Sequence, residues 1–535
     1  MSTLTGLPAA LRLVWRRNRV YWLCWTAGLA LLMPLTLSQY DTILPPDTDP
    51  AATLEPLRTN PSMLALLGPA FDIYTKGGFV FWRVGGFASF FAGMMAAFGV
   101  IRATRAEEED GHLELFRAGV LGRHAPLVAA VVVSLAATTL TGLLSAGMVI
   151  AAGLPVAGSL AAGLAIALVG WVFTGLAAVM AQVFETARAA RYWTVGALWG
   201  GMFVIRMIVD GSGTESGVAW ARWLLPIEWG VLVGPFASNR WWVLGLAALF
   251  TAACLALAFT IESRRDLGAG LVRPRPGRAH APRTLGDAWG LAWRLQRGGL
   301  VGWTLALLLS ASGTGSIIAQ TRASIEDNPA LGRMLEKLGG TADLEIGFYV
   351  AMLGILASIV AIMGATILSR LRSEETSGHL EQMLATATSR QSVAWSHLLW
   401  ALLVPALVMV GVGAALPVLD ARQTGNWEAI AEYTRGAAGL VPGVVLVVAL
   451  AMALIGWLPR LFWIVWVVLG WSLFATWFSA LLDLPTWLTR ITPWGYLPHL
   501  PRDAMDWTPV LIESTVAVAL LGVGLVGFRR RAVPS

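Results

Sequence analysis

The chain has 535 residues, of which 56% are hydrophobic and only 13% charged, and its mean hydropathy is +0.67. A soluble domain carries roughly 25% charged residues, so this composition excludes one. The net charge of +6 is almost all arginine beside apolar runs, which excludes a nucleic-acid surface and fits a membrane protein.

Residues 5–19 place Leu7, Leu11, Val14 and Trp15 on one stripe with Arg12, Arg16 and Arg19 off it. That pattern predicts a helix lying in the membrane interface. A first span follows at 20–37, and because no small-residue cleavage site follows it, a retained span is expected rather than a leader. The polar stretch 38–78 contains PPDTDP and a short helix over NPSMLALLGPAF. Further spans are predicted at 79–101, 126–152, 159–184, 193–210 and 241–262. Each is long enough to cross about 30 Å of hydrocarbon as a helix, and lipid leaves the backbone no alternative. Cys24 and Cys254 lie inside apolar runs, so neither a disulfide framework nor a cysteine metal site is expected.

The pattern then restarts. Residues 263–284 are rich in Pro, Gly and Arg and predict a linker. Beyond it, AWRLQRGGLVGWT (292–304) matches VWRRNRVYWLCWT (14–26), Asn60-Pro61 recurs as Asn328-Pro329, and Trp229-Gly230 as Trp494-Gly495. The chain is expected to be an all-α polytopic membrane protein of about 12 transmembrane helices. They form two tandem six-helix halves, 1–262 and 285–535, of parallel topology. Most of the 38 Lys+Arg fall in segments that are cytoplasmic if both termini are inside, which sets that orientation.

The strongest internal match is a polar insert between the second and third spans of each half. RAEEEDGHLELFRAGVLGR begins at Arg105, and RSEETSGHLEQMLATATSR begins at Arg372. Without a gap, Arg105, Glu107, Glu108, Gly111, His112, Leu113, Glu114 and Arg123 align with Arg372, Glu374, Glu375, Gly378, His379, Leu380, Glu381 and Arg390. The insert predicts one amphipathic helix, with Leu113, Phe116 and Val120 on one side and the acidic residues at its N-terminal end, where the helix dipole favours them. Two such helices suit docking of two copies of one soluble partner. A metal role for His112 or His379 is disfavoured, since neither has a second His or Cys at ligand spacing.

This EExxGHLE insert, its position and the duplication resemble the coupling helix of ABC-2 type exporter permeases. RRDLG (264–268), LPIEWGVLVGPFASNRWW (225–242) and TPWGYLPHLP (492–501) resemble in particular the fused twelve-span branch that exports polyketide antibiotics. The resemblance implies a plasma-membrane permease, two copies of a separate ATP-binding subunit docked on the coupling helices, and a hydrophobic small-molecule substrate. It implies no cofactor in this chain, with ATP and Mg2+ held by the partner. The first copy departs from the family in carrying AGVLGR where many relatives have a T-P-x-S-R-like turn. The only lysines, Lys76 in YTKGGF and Lys337 in LEKLGG, exclude the Gly-Lys-Ser/Thr of a P-loop, so no ATPase and no enzyme activity are expected here.

Within the spans, Arg206 and Asp210 are spaced i, i+4 and read equally as an ion pair or a functional site. The second half has Trp471 and Ala475 there. The resemblance places a central cavity among spans two, five, eight and eleven, with Phe90, Met94, Phe203, Met352, Trp471 and Phe474 as its lining. Trp223, Trp229, Trp487 and Trp494 are expected in an interfacial aromatic belt. An ion-coupled secondary transporter is the competing class, but it needs titratable groups at mid-membrane, and the spans offer few. A lipid-transport or signalling role for an ABC-like permease is a further alternative.

Overall fold

The computed structural model describes residues 3–44, 49–59, 64, 67–111, 113–114, 121–213, 216–272, 280, 282, 285–327, 341–482 and 485–531. Almost everything described is helical, and the only β pairing among these residues is one bridge between Phe184 and Val272. Two compact units are present, Met1–Pro276 and Gly277–Ser535. The division falls within the Pro/Gly/Arg stretch 263–284.

The first unit holds α1 (Leu7–Ser38), α2 (Lys76–Glu109), α3 (Ala125–Ala151), α4 (Val156–Val183), α5 (Ala187–Gly211) and α6 (Trp242–Arg264). The second holds α7 (Ala288–Asp327), α8 (Thr341–Thr376), α9 (Arg390–Ala415), α10 (Glu428–Trp457), α11 (Trp463–Leu482) and α12 (Trp507–Arg530). Eleven helices among the described residues are long and apolar enough to cross a membrane, six in the first unit and five in the second. The protein is thus an all-α, multi-pass membrane protein. The remaining long helix, α7, has 40 residues and stands in chain order where α1 does.

The separate interfacial helix expected over 5–19 is not present. α1 continues through it to Ser38 without a break. Nothing in RRNRVYWLCW breaks a helix, and the buried Asn18 side chain donates to Val14 O at 3.0 Å along the helix rather than interrupting it.

Packing follows one plan in both units. α4 lies against α3, α2 and α6, while α1 packs on α3. α10 lies likewise against α9, α8 and α12, while α7 packs on α9. Lipid supplies no hydrophobic drive between helices, so small residues and polar contacts hold them. At the α3–α4 crossing a Cβ on Gly142 would stand 2.1 Å from Gly163 O, which only glycine permits. Ser134 and Thr174 hydrogen-bond across the same pair at 2.7 Å, and Thr141 reaches Thr26 of α1 at 3.1 Å. A Cβ on Gly456 of α10 would likewise meet Gly524 O of α12 at 2.2 Å.

The segment between α1 and α2 includes the short helices Tyr40–Ile43 and Pro50–Thr59 and a small satellite core of Tyr40, Leu44, Leu54, Ile73, Phe79 and Trp82. Half of the segment NPSMLALLGPAF, expected as a helix, lies outside the described residues; Leu64 and Leu67 are helical, and 68–71 are not. Between α5 and α6 the chain folds back on α4 through the short helix Trp229–Leu232. The aromatic-belt expectation therefore fails for Trp229 and Trp494, which are 5% and 3% exposed. Trp229 Nε1 donates to Trp223 O at 2.9 Å, so its polar edge is satisfied inside the protein. Trp487 is exposed, as a belt residue would be.

Candidate functional site: the duplicated insert

The insert is not one helix. Its acidic residues end the preceding span, and a glycine then turns the chain before a second short helix. In the second unit α8 runs on to Thr376, Gly378 has φ 75°, and a helix begins at His379 and ends at Leu384. In the first unit Arg105–Glu109 is helical, Gly111 has φ 74°, and Leu113 and Glu114 are helical again. An added Cβ would touch nothing within 4 Å at either glycine. It is therefore the left-handed backbone, not crowding, that calls for glycine. Glu107, Glu108, Glu374 and Glu375 thus precede the turn, while Glu114 and Glu381 follow it at the start of the second helix. His112, Phe116 and Val120 lie outside the described residues.

The second glutamate of each copy faces inward. Glu108, with a side chain 4% exposed, pairs with Arg105 at 2.8 Å. It also accepts from Arg265 through both guanidinium ends, at 2.7 and 2.8 Å, and from Gly268 N at 2.7 Å. Arg265 follows α6, the last span of its unit. Glu375, fully buried, pairs with Arg372 at 2.9 Å and accepts from Arg531 at 2.7 Å, and Arg531 follows α12. The closing arginine of the insert completes the clasp. Arg123 donates to Arg265 O at 2.6 Å and Arg390 to Arg531 O at 2.6 Å. A cation at the last carbonyls of a helix is favoured by the helix dipole. Each insert is thereby tied to the end of the last span of its own unit by the same two contacts, and the i, i+3 Arg–Glu pair within each insert completes the set.

The remaining insert residues separate by exposure. Arg105, Glu108, Glu374, Glu375, Leu113 and Leu380 are buried. Glu107 is half-buried and pairs with Arg17 of α1, and Glu374 pairs with Arg370 at 2.6 Å and His379 at 3.2 Å. Exposed polar residues include Glu109, Asp110 and Glu114 in the first copy and Thr376, Ser377, His379, Glu381 and Gln382 in the second. Buried side chains cannot form a docking surface, so the identical glutamates Glu108 and Glu375 brace the insert, and only the exposed set is free to meet a partner. Among the described residues no three His, Cys, Asp or Glu side chains gather as a metal site.

The pair expected at Arg206 and Asp210 is present at 3.3 Å, but inside a larger cluster. Asp210 accepts from Arg222 at 2.6 Å, and Arg206 also pairs with Glu228. Both carboxylates are fully buried and both guanidinia nearly so. Burial pushes the Glu228 carboxyl up to about 7 although Arg206 pulls it down. Arg222 and Glu228 come from the folded-back segment, where sequence reading saw only aromatic loop.

The six residues expected in a central cavity fall into separate local groups. Phe90 and Phe203 pack together in the first unit, ring centroids 4.7 Å apart, beside Trp199 and Arg206 around a void of only about 10 Å³. Met94 is half-buried on α2. In the second unit Trp471 and Phe474 lie 5.8 Å apart on α11, and Met352 packs against the core. None of the six lines the cavity of about 580 Å³ in that unit, which is bounded by α8, α11 and the segment before α12.

Two comparisons bear on this arrangement. Residues 285–529 match the family described as multidrug efflux system permease Rv1217c, C-terminal domain. The whole chain is similar to the multidrug efflux system permease protein Rv1217c of Mycobacterium tuberculosis, at 34% identity over 535 residues, covering 99% of this chain and 96% of that protein. A polytopic chain whose two units pack on one plan, matched along 99% of its length by that relative, belongs to the multidrug efflux permease family of Rv1217c.

Proposed function

We propose that the chain is the permease subunit of an ATP-driven ABC exporter of hydrophobic or amphipathic compounds, including polyketide-like drugs. Two copies of a separate ATP-binding subunit, carrying ATP and Mg2+, dock on the two inserts. The protein sits in the plasma membrane with both termini cytoplasmic. The observation that carries this reading is the insert itself: two copies, each clasped to the last span of its own unit, with Glu114 exposed in the first and its counterpart Glu381 exposed in the second. A surface that receives mechanical work needs such bracing, because a soft attachment would dissipate the motion. Purification with the ATP-binding subunit tests it: a ratio of one permease to two ATPases is expected. A chain that transports with no ATPase bound would overturn it.

A second reading, ion-coupled transport, draws on the buried pair Arg206 and Asp210 within α5. It requires transport to follow a proton gradient in vesicles lacking ATP.

A further inference from the structure

The two units differ where α2 and α8 begin. In the first, Phe87 and Phe90 of α2 and the Arg206–Asp210–Arg222–Glu228 cluster leave a void of about 10 Å³. In the second, Gly354 stands where Phe87 does, and Trp471, Ala475, Trp487 and Pro493 stand where the four charges do. The space is open there, at about 580 Å³. That lies within the roughly 300–1,000 Å³ of ligand pockets. Its wall is apolar at Val350, Ala351, Gly354 and Ala475. Thr489 and Thr492 line it too; their hydroxyls already donate to backbone carbonyls at 3.0 and 2.9 Å, so they offer a ligand acceptor lone pairs.

At the mouth stand His499 and Arg502. His499 faces Asp503 at 3.6 Å, which offsets any charge it carries. Arg502 is exposed and makes no ion pair or hydrogen bond among the described residues. The cavity therefore combines an apolar wall, hydroxyl acceptors and one free guanidinium at its rim.

We propose that this cavity binds an amphipathic anion, with its apolar body against α8 and α11 and its acidic group at Arg502. The proposal narrows the substrate class of the exporter and rests on that reading for its role in transport, whereas binding itself needs no ATPase. An anionic lipid and a soluble acidic amphiphile share this chemistry.

The test uses the full chain in phosphatidylcholine nanodiscs and two probes of similar apolar body, anionic 1-anilinonaphthalene-8-sulfonate and neutral N-phenyl-1-naphthylamine, with empty nanodiscs subtracted. Gly354→Phe restores the first unit's residue, and its Cβ meets only Thr476 Cγ2, at 3.2 Å. It should weaken both probes at least tenfold. Arg502→Gln, at an exposed position that cannot upset the core, should weaken the anionic probe about fivefold and leave the neutral one unchanged. Adding phosphatidylglycerol separates the sources: displacement of the anionic probe identifies a lipid occupant, and undiminished binding a soluble one. Anionic-probe binding unaffected by either substitution overturns the site, and equal loss of both probes in Arg502→Gln overturns its anion preference. Neither result touches the stoichiometry on which the ATPase reading stands.

Discussion

At the insert, the two units are near copies: the same Glu–Arg–carbonyl clasp, closed by Arg265 in one and Arg531 in the other. At the opposite end of α2 and α8 they have parted. One unit buries four charges in a sealed cluster, and the other has a cavity walled by small residues. Duplication leaves both units free to drift, so contacts retained in both mark a task done twice. The divergent end marks a task that is done once, or done differently by each unit.

The comparison can be broken at the clasp first. Glu108→Arg or Glu375→Arg would gather buried guanidinia around a position that now holds their counter-charge. Each should cost about 5 kcal/mol, read as loss of monodisperse protein and of thermal unfolding temperature. The charge swap Glu108→Arg with Arg265→Glu should recover part of it. Equal damage from the two single reversals is expected; damage from only one would deny the equivalence of the units.

The cluster tests the other side. Arg206→Ala leaves Asp210 and Glu228 buried with one cation fewer and should cost about 3–5 kcal/mol. Replacing all four charges by apolar residues of similar volume should be far milder, because the desolvation cost disappears along with the attraction. If the fourfold variant proves as damaged as Arg206→Ala, the cluster holds more than itself together.

Glu228, which lies outside the spans, makes the asymmetry pH-dependent. Its folded carboxyl titrates near 7 against 4.5 in the open chain. The folded state therefore holds a proton that the unfolded state has lost. Stability falls as pH rises from about 4.5 to about 7 and is level above. Glu228→Gln should flatten that part of the wild-type profile of unfolding temperature against pH. An unaltered profile would mean the carboxylate stays ionised.

The smallest effect belongs to the turns. Gly111→Ala and Gly378→Ala each force a side chain into the left-handed region, at about 1–2 kcal/mol. Unfolding temperatures should drop by similar amounts in both variants.

Much of the fold was legible because the chain carries its own comparison: an insert occurring twice exposes which letters are kept. Apolar runs located the spans, and the i, i+4 spacing located Arg206 and Asp210. What stayed hidden was the direction in which kept residues face. Glu108 and Glu375 read as a docking surface because their partners lie 157 and 156 residues away, beyond any local period. The near-equality of those separations was the available signal. Arg222 and Glu228 were missed because a Trp-rich stretch reads as surface loop unless one knows that it folds back on α4. The cavity within the second unit was not foreseen, because it is walled by glycine and alanine, which an apolar profile hardly distinguishes from packing.

The clasp also orders events during synthesis. Domains made on the ribosome fold from the N-terminal side first. The first insert can be fastened once residue 265 is available, with the second unit still to be made. The second insert has to wait for Arg531, after all of its unit's helices have been inserted. Until then Glu375 is a carboxylate without Arg531, its principal cation. Closure of each clasp thus marks completion of its unit: the insert is held at both ends only when the last helix of its own unit has arrived.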